Sequence, residues 1–582
     1  MSDRPEAKSP EESYDVVILG GGLAGLTLAL QLKRARPETS VFVAEKRAGA
    51  APDAAFKVGE SSVEVGAHYY RVTCGLADHL ESQQLRKLGL RFFFTAGDNS
   101  DITKRVEYAT PNHDDVWTHQ IDRGRFENEL ADRCRAAGVD LFSGAFIDEV
   151  EPGAEGAAHA VTIVRGGPGG ERTRIESRWL VDASGRAGLL KRKLGLAQPA
   201  TDHHINAAWI RLDGGIDIED WSDDEDWIVR VPERDFRRYA TIHLTGPGYW
   251  VWLIQLATGP ISIGLCADPR FHPYEEIDTQ EGLLEWFRRH EPQLAGVLDA
   301  RRDDILDFLK IEDFSYSVER VYSLDRWALT GEAGPFADPL YSPGSDFIAY
   351  GNTFIGDLVV RDLDGEDIQN RLELFNFLFF QLFTPTLDLY RDQYQLLGNP
   401  QVMMAKQLFD NFAYFSTLAF LFLQGRMARP EVMFELVDVI VQRAIPLLSR
   451  TQGFFREWHQ LDQREWQGVS VLTDKFTPEH ERQNRLARSY DDDAEFKRDF
   501  EENMRLVEAA VVVMFHWAAQ LLPEQPPEDA RINPQAISLQ PDRWEADGLF
   551  SDDGISYVEA LQLLPGIEEF HLEARGATMA AH

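Results

Sequence analysis

Three glycines and one acid define the first chemistry legible in this chain. Gly20, Gly22 and Gly25 stand at G-x-G-x-x-G intervals within Tyr14-Asp-Val-Val-Ile-Leu-Gly-Gly-Gly-Leu-Ala-Gly-Leu. At this spacing the first glycine permits a tight turn, the second lets the backbone approach a pyrophosphate, and the third lets the following helix pack closely on its strand. The helix N-terminus then offers unpaired N–H groups and the positive end of its dipole to the phosphates. Glu45 closes a second apolar run, Ser40-Val-Phe-Val-Ala, about twenty residues further on, where an acid accepts a hydrogen bond from an adenosine ribose. Strand, glycine turn, helix and acid together predict a dinucleotide site.

The elements that must position this site are scattered. After the first βαβ unit the chain does not continue as a second alternating pair, which argues against an NAD dehydrogenase with an uninterrupted nucleotide domain. Later pieces still read as nucleotide-fold elements. Trp117-Thr-His-Gln-Ile-Asp-Arg-Gly-Arg-Phe-Glu is a strand running into a helix, Trp179-Leu-Val-Asp-Ala-Ser-Gly a strand ending in a turn, and Arg326-Trp-Ala-Leu-Thr-Gly-Glu-Ala-Gly a strand with a glycine turn. Between them, Ala207-Ala-Trp-Ile-Arg-Leu, Tyr239-Ala-Thr-Ile-His-Leu and Tyr249-Trp-Val-Trp-Leu-Ile-Gln-Leu alternate as strands of an antiparallel sheet. From about Glu366 apolar positions recur at helical spacing, as in Leu372-Glu-Leu-Phe-Asn-Phe-Leu-Phe-Phe. The expected fold is α/β (α+β): a Rossmann-like nucleotide-binding domain, an inserted antiparallel-sheet substrate domain and a helical C-terminal region. The expected boundaries are 14–200 and 321–365 for the two parts of the nucleotide domain, 201–320 for the insertion and 366–582 for the helices. The aromatic density of that last region reads as helical core, part of which walls a substrate pocket.

The chain has 582 residues, too many for one core, and a net charge of −37. That charge disfavours nucleic acid and anionic membranes as partners. Cys74, Cys134 and Cys266 are far apart in sequence, with no metal-ligand spacing, and read as reduced core residues of a cytoplasmic protein. Residues 1–12 are polar, without the apolar core of a signal peptide. Leu418-Ala-Phe-Leu-Phe-Leu is too short to span a bilayer.

Several motifs over roughly residues 14 to 360 together resemble FAD-dependent enzymes of the para-hydroxybenzoate-hydroxylase type and, among them, the flavin-dependent halogenases of the phenol and pyrrole type. Besides the start at Gly20 to Glu45, Val58-Gly-Glu-Ser resembles the family's V-G-E-[SA] loop beside the flavin. Gly331-Glu-Ala-Gly-Pro-Phe-Ala-Asp-Pro-Leu resembles its second FAD motif, with Glu332 where aspartate is usual. Trp250-Val-Trp-Leu-Ile-Gln is close to the signature W-x-W-x-I-P, with Gln255 in place of the proline. The resemblance implies FAD contacts at Gly59, Glu60, Ser61, Asp182, Glu332 and Asp338. Arg123 and Arg125 read either as pyrophosphate partners or as surface ion pairs.

The resemblance also implies a catalytic lysine. Lys87, Gly89 and Phe92 in Arg86-Lys-Leu-Gly-Leu-Arg-Phe fit the spacing of the strand that presents the halogenases' reactive lysine. In that chemistry reduced flavin, oxygen and chloride or bromide yield hypohalous acid, which a lysine holds near the substrate. A buried lysine suits the task because its pKa shifts readily. From position alone, Lys87 reads equally as a solvated residue at a strand start. Gly344 and Ser345 are the candidate halide-binding amides, since Pro343 has no N–H. Trp250, Trp252 and Tyr341 are the candidate pocket residues. Tyr341 stands where tryptophan halogenases carry glutamate, so an electron-rich phenol or pyrrole is the implied substrate. It would be a small aromatic molecule, free or bound to a carrier protein, and a separate flavin reductase would supply reduced FAD because the chain has no second dinucleotide fingerprint. The alternative is a single-component flavin monooxygenase or oxidase with a halogenase-like fold.

Overall fold

The computed structural model describes residues 13–53, 57–109, 117–166, 169–200, 202–231, 235–472, 486, 488–573 and 578–579. The polar segment 1–12 lies outside the described residues.

Ser13–Leu19 is apolar nearly throughout because it is a central parallel strand, covered on both faces. It pairs in parallel with Val41–Glu45 and with Glu171–Asp182. Asp140–Ser143 extends the sheet beyond Val41–Glu45. The long strand Glu171–Asp182 serves two further partners. Its first part joins an antiparallel meander with His159–Arg165 and Ala145–Glu151, while its last three residues pair with Trp327–Leu329. Pieces distant in sequence thus complete one seven-stranded nucleotide sheet.

The second sheet has eight strands, in the order Ile305–Ile311, Asn206–Leu212, Ile261–Ala267, Tyr249–Gln255, Thr241–Gly246, Leu90–Phe94, Glu107–Ala109, Ser470–Leu472. Side chains alternate across it. Tyr249, Val251 and Leu253 face a core closed by Leu283, Trp286 and Leu294 of the helices Gln280–His290 and Pro292–Ala300. Trp250, Trp252, Phe92 and Phe94 face the main core shared with the nucleotide sheet and the C-terminal helices. Leu90–Phe94 and Glu107–Ala109, within 14–200, therefore belong to this sheet, and Ser470–Leu472 brings the helical region to its edge.

A buried ion network fixes that edge. Glu107 is fully buried and pairs with Arg91 and with Arg237, the latter at 3.0 Å, while Ser470 Oγ donates to it at 2.9 Å. Burial alone would raise the Glu107 carboxyl, yet the two guanidiniums hold it below the ordinary carboxylate range. Gln369–Asp388, Pro400–Ser416, Ile445–Leu461 and Asp493–Ala519, among the helices of the C-terminal region, contribute to the same main core. No helix among the described residues is long and apolar enough to cross a membrane.

Replacing Glu107 with glutamine leaves the buried Arg91 guanidinium without its paired carboxylate and Arg237 with Glu219 alone. We expect Glu107→Gln to lose about 3–5 kcal/mol of stability, read as a lower denaturant midpoint at unchanged slope. A loss under 1 kcal/mol would contradict the assigned network.

Candidate active site

The glycine turn is built by close packing at two positions and open space at the third. Gly20 has φ +114°, and a Cβ there would lie 2.5 Å from Ala183 O; one at Gly25 would lie 2.1 Å from Gly20 O. At Gly22 a Cβ would meet only Lys57 Nζ, 3.8 Å away. The space beside Gly22 is open, as the approach of a pyrophosphate to the backbone requires. It also precedes the helix Leu23–Ala35, which has no side-chain N-cap. Glu45 closes the turn, accepting from Gly21 N and Arg47 N, both at 2.9 Å. Lys57, which the sequence reading passed over, brings a cation to this turn and pairs with the buried carboxylate of Glu127.

The other expected cofactor residues fall into different surroundings. Arg123 is mostly buried, pairs with Glu127 at 2.7 Å and donates to Val58 O at 2.7 Å, holding the Val58-Gly59 loop. Gly59 has φ +90°, and a Cβ there would lie 2.8 Å from Arg123. Arg125 is more exposed and lies 3.7 Å from Asp53. Glu60 is buried against Arg211, at 2.7 Å, and Arg211 reaches on to Asp307. Ser61 Oγ lies 3.1 Å from Thr241 Oγ1. Asp182 accepts from Ser184 N and Leu190 N and so shapes its own turn. Glu332 pairs with Arg186 at 2.8 Å. Asp338 is buried, accepting from Leu340 N and Tyr394 OH, with His203 at 2.9 Å. Most of these acids position loops of the nucleotide site.

Lys87 lies on the bend between the strands Leu85–Arg86 and Leu90–Phe94, and Gly89, at φ +77°, turns the chain from the two-stranded pairing of Leu85–Arg86 with His119–Gln120 into the eight-stranded sheet. Its side chain is 3% exposed, so it is not a solvated surface lysine. Nζ donates to Ser61 Oγ and Ser62 O, both at 2.9 Å, leaving one N–H for the cavity that Lys87 lines. Burial lowers its pKa to about 8 against the pull of Glu64 and Asp346. The ammonium still predominates at neutral pH. Nearby, His243 stacks on Phe92 with ring centroids 4.3 Å apart, and burial lowers its pKa to about 3, so it is neutral.

The cavity is apolar and lies between the Lys87 bend, the Tyr341 loop and the C-terminal helices. Tyr341 lines it, with φ +66°, followed by Ser342 at +61°. Trp250 and Trp252 do not. Both lie in the packed core, where Trp250 Nε1 donates to Tyr394 OH at 3.0 Å and Trp252 Nε1 to Ser262 Oγ at 3.1 Å. The Trp252 ring also fills the space over Gly264, where a Cβ would fall 2.0 Å away. Gly344 and Ser345 begin the helix Gly344–Leu363, and Ser345 packs against Gly66.

The residue the sequence reading missed is Asp346, one position beyond Ser345. It lines the same cavity as Lys87 and accepts from Gly66 N and Tyr414 OH, both at 2.8 Å. Burial raises its pKa to about 7 against those hydrogen bonds. Its signal, an acid in the first turn of the helix after the second FAD motif, equally fits a helix-dipole partner. Asp410 also lines the cavity, held by Lys406 at 2.7 Å and by Gln452 at 2.8 Å.

Residues 13–259 match the family described as FAD binding domain. The flavin-dependent halogenase chlA of Dictyostelium discoideum is 24% identical over 440 residues, 70% of this chain and 70% of its own length. A 1H-pyrrole-2-carbonyl-[peptidyl-carrier protein] chlorinase of Pseudomonas fluorescens is 27% identical over 347 residues, 57% of this chain and 73% of its own. Among solved structures, halogenase PltM in complex with phloroglucinol and FAD superposes with TM-score 0.58 at 15% identity, covering 85% of this chain and 96% of that one. With the glycine turn that fits the cofactor, these likenesses identify the chain as an FAD-dependent oxidoreductase that is similar to flavin-dependent halogenases.

Proposed function

We propose that this enzyme places chlorine or bromine on a free, electron-rich aromatic ring, phenolic or pyrrolic, in the cytoplasm, with reduced FAD delivered by a separate reductase. The observation that carries the reading is Lys87: a buried ammonium, bonded to two neutral oxygens, with its third N–H available to an apolar cavity. A carrier-bound substrate, such as the pyrrole chlorinase's name describes, would bring an acidic partner to a chain of net charge −37, so a free substrate is assigned.

Reduced FAD, when bound, supplies with oxygen and halide the hypohalous acid. Gly20, Gly22 and Gly25 shape its pyrophosphate seat, Glu45 and Lys57 flank the turn, and the amides of Gly344 and Ser345 are assigned to the halide. Lys87 hydrogen-bonds the oxygen of the hypohalous acid and fixes the halogen toward the ring. The apolar walls exclude water and keep the oxidant from escaping. As the carbon–halogen bond forms, the oxygen–halogen bond breaks and the oxygen leaves as water with a proton from the Lys87 ammonium. The ring proton passes to Asp346, the carboxylate facing the same cavity. Returning that proton to Lys87 restores both groups.

The Lys87→Ala variant should retain FAD and still consume reduced flavin and oxygen, while halogenated product falls to background and peroxide release rises. Lys87→Arg should not restore product, because the guanidinium fork is larger and differently shaped. Unchanged product in Lys87→Ala would end the lysine mechanism.

Product formation should also follow a bell-shaped pH profile. It should rise as Asp346 loses its proton near pH 7 and fall as Lys87 loses its proton near pH 8. Asp346→Asn should remove the acidic limb and lower the rate by roughly 100-fold or more. An unaltered acidic limb in that variant would take Asp346 out of the reaction.

Finally, NADH or NADPH alone should leave the bound flavin oxidised under anaerobic conditions. Rapid bleaching without a reductase would favour a single-component monooxygenase.

A further inference from the structure

One part of the Lys87 cavity has little polar chemistry. Its wall is formed by Leu382, Leu421, Met433, Ile445 and Phe500, which come from five different helices. Two threonines in the lining bond back into their own helices, Thr386 Oγ1 to Leu382 O at 2.8 Å and Thr417 Oγ1 to Ala413 O at 2.7 Å. What remains of those side chains is a methyl group. Of the charged side chains in the lining, Arg86 and Lys87 come from the Lys87 bend, Glu64 and Asp346 from the first turns of the helices Glu64–His68 and Gly344–Leu363, and Asp410, on Pro400–Ser416, is paired with Lys406.

Two of the walling helices depart from regular geometry here. Pro385 sits inside Gln369–Asp388, where it has no N–H for the carbonyl of Gln381. Pro446 follows the π-helical turn Ile440–Ala444, which joins Pro430–Val439 to Ile445–Leu461. Pro446 has no N–H for Gln442 O, and a widened turn keeps the proline ring off that carbonyl. Gln381, Pro385, Ile440, Ala444 and Ile445 all line the cavity. Two prolines therefore interrupt the helical wall at the cavity itself.

A bare phenol or pyrrole needs only the end that holds Lys87 and Asp346. An apolar compartment beyond it gives water too few hydrogen-bond partners and, left empty, forfeits packing on every wall. We propose that the substrate's ring carries an aliphatic chain, alkyl or acyl, and that this compartment holds the chain while the ring faces Lys87. The inference rests on the halogenase reading for the ring's chemistry, but the fit of the chain is a binding property that can be measured separately.

The test is binding of 4-alkylphenols, from methyl through propyl and pentyl to heptyl, to the FAD-loaded full-length protein by calorimetry. Full burial of the chain predicts a Kd that falls roughly 4-fold per methylene. Ala444→Phe and, independently, Leu421→Phe should flatten the series, with retained FAD reporting an intact fold. A flat or worsening series in the parent protein, or no binding at any length, overturns the inference. The same phenols are then turned over with reduced FAD, oxygen and bromide. Chain-dependent binding without brominated product would refute the halogenase reading and leave the chain compartment standing. Brominated product with a flat series would do the reverse.

Discussion

A charge taken out of water must be paired or must change its protonation, and this molecule is organised around that constraint. Where the two sheets and the helical region meet, buried charges are matched almost throughout. Arg211 ties Glu60 and Asp307, Arg237 and Arg91 share Glu107, Arg105 meets Glu291 at 2.6 Å, and Lys406 meets Asp410. Such pairs add little net stability compared with apolar packing, but those of Arg211, Arg237 and Arg105 each specify one docking of segments far apart in sequence. Lys87 and Asp346 depart from the pattern. Each is buried and hydrogen-bonded only to neutral groups, and each answers with a pKa moved toward neutrality. Both line one cavity, and groups in that condition are the ones the proposed proton and halogen transfer would use.

The same constraint explains the placement of the loops. Glu60 is held by Arg211, so the Val58-Gly-Glu-Ser loop is pinned between the nucleotide unit and the second sheet, and Ser61 and Ser62 arrive beneath Lys87. Asp338 is fixed by His203 and Tyr394, and Tyr394 in turn meets Trp250, so the chain leaving the second FAD motif is anchored to the second sheet. From that anchor the backbone passes through left-handed conformations at Tyr341 and Ser342 before the helix that carries Asp346. Left-handed non-glycine residues are costly and persist where the surroundings over-determine them, often at functional sites.

The sequence was most legible where the chemistry is local. Gly20, Gly22 and Gly25 announce their turn because each spacing has its own cause, and the structure displays close packing at Gly20 and Gly25 and open space beside Gly22. The alternating strands of the second sheet were legible for the same reason, since period two is a property of the strand alone. Trp250 and Trp252 illustrate the limit. Alternation puts both on one face, but whether that face borders a cavity or a packed core depends on what the C-terminal helices and Gly264 bring against it. Leu90–Phe94 and Glu107–Ala109 likewise read as parts of the nucleotide segment, because their partners Thr241–Gly246 and Ser470–Leu472 are remote in sequence.

By itself the sequence determined a dinucleotide turn, a strand insertion, a helical C-terminal region and a lysine at a suggestive spacing. Only the tertiary structure decided that this lysine is desolvated, that a carboxylate from another segment shares its cavity, and that helices interrupted by prolines close the far wall. Spacing along a chain reports on neighbours within one strand or one helix. Desolvation depends on every element that closes over a side chain, and here those elements come from nearly the whole length of the protein.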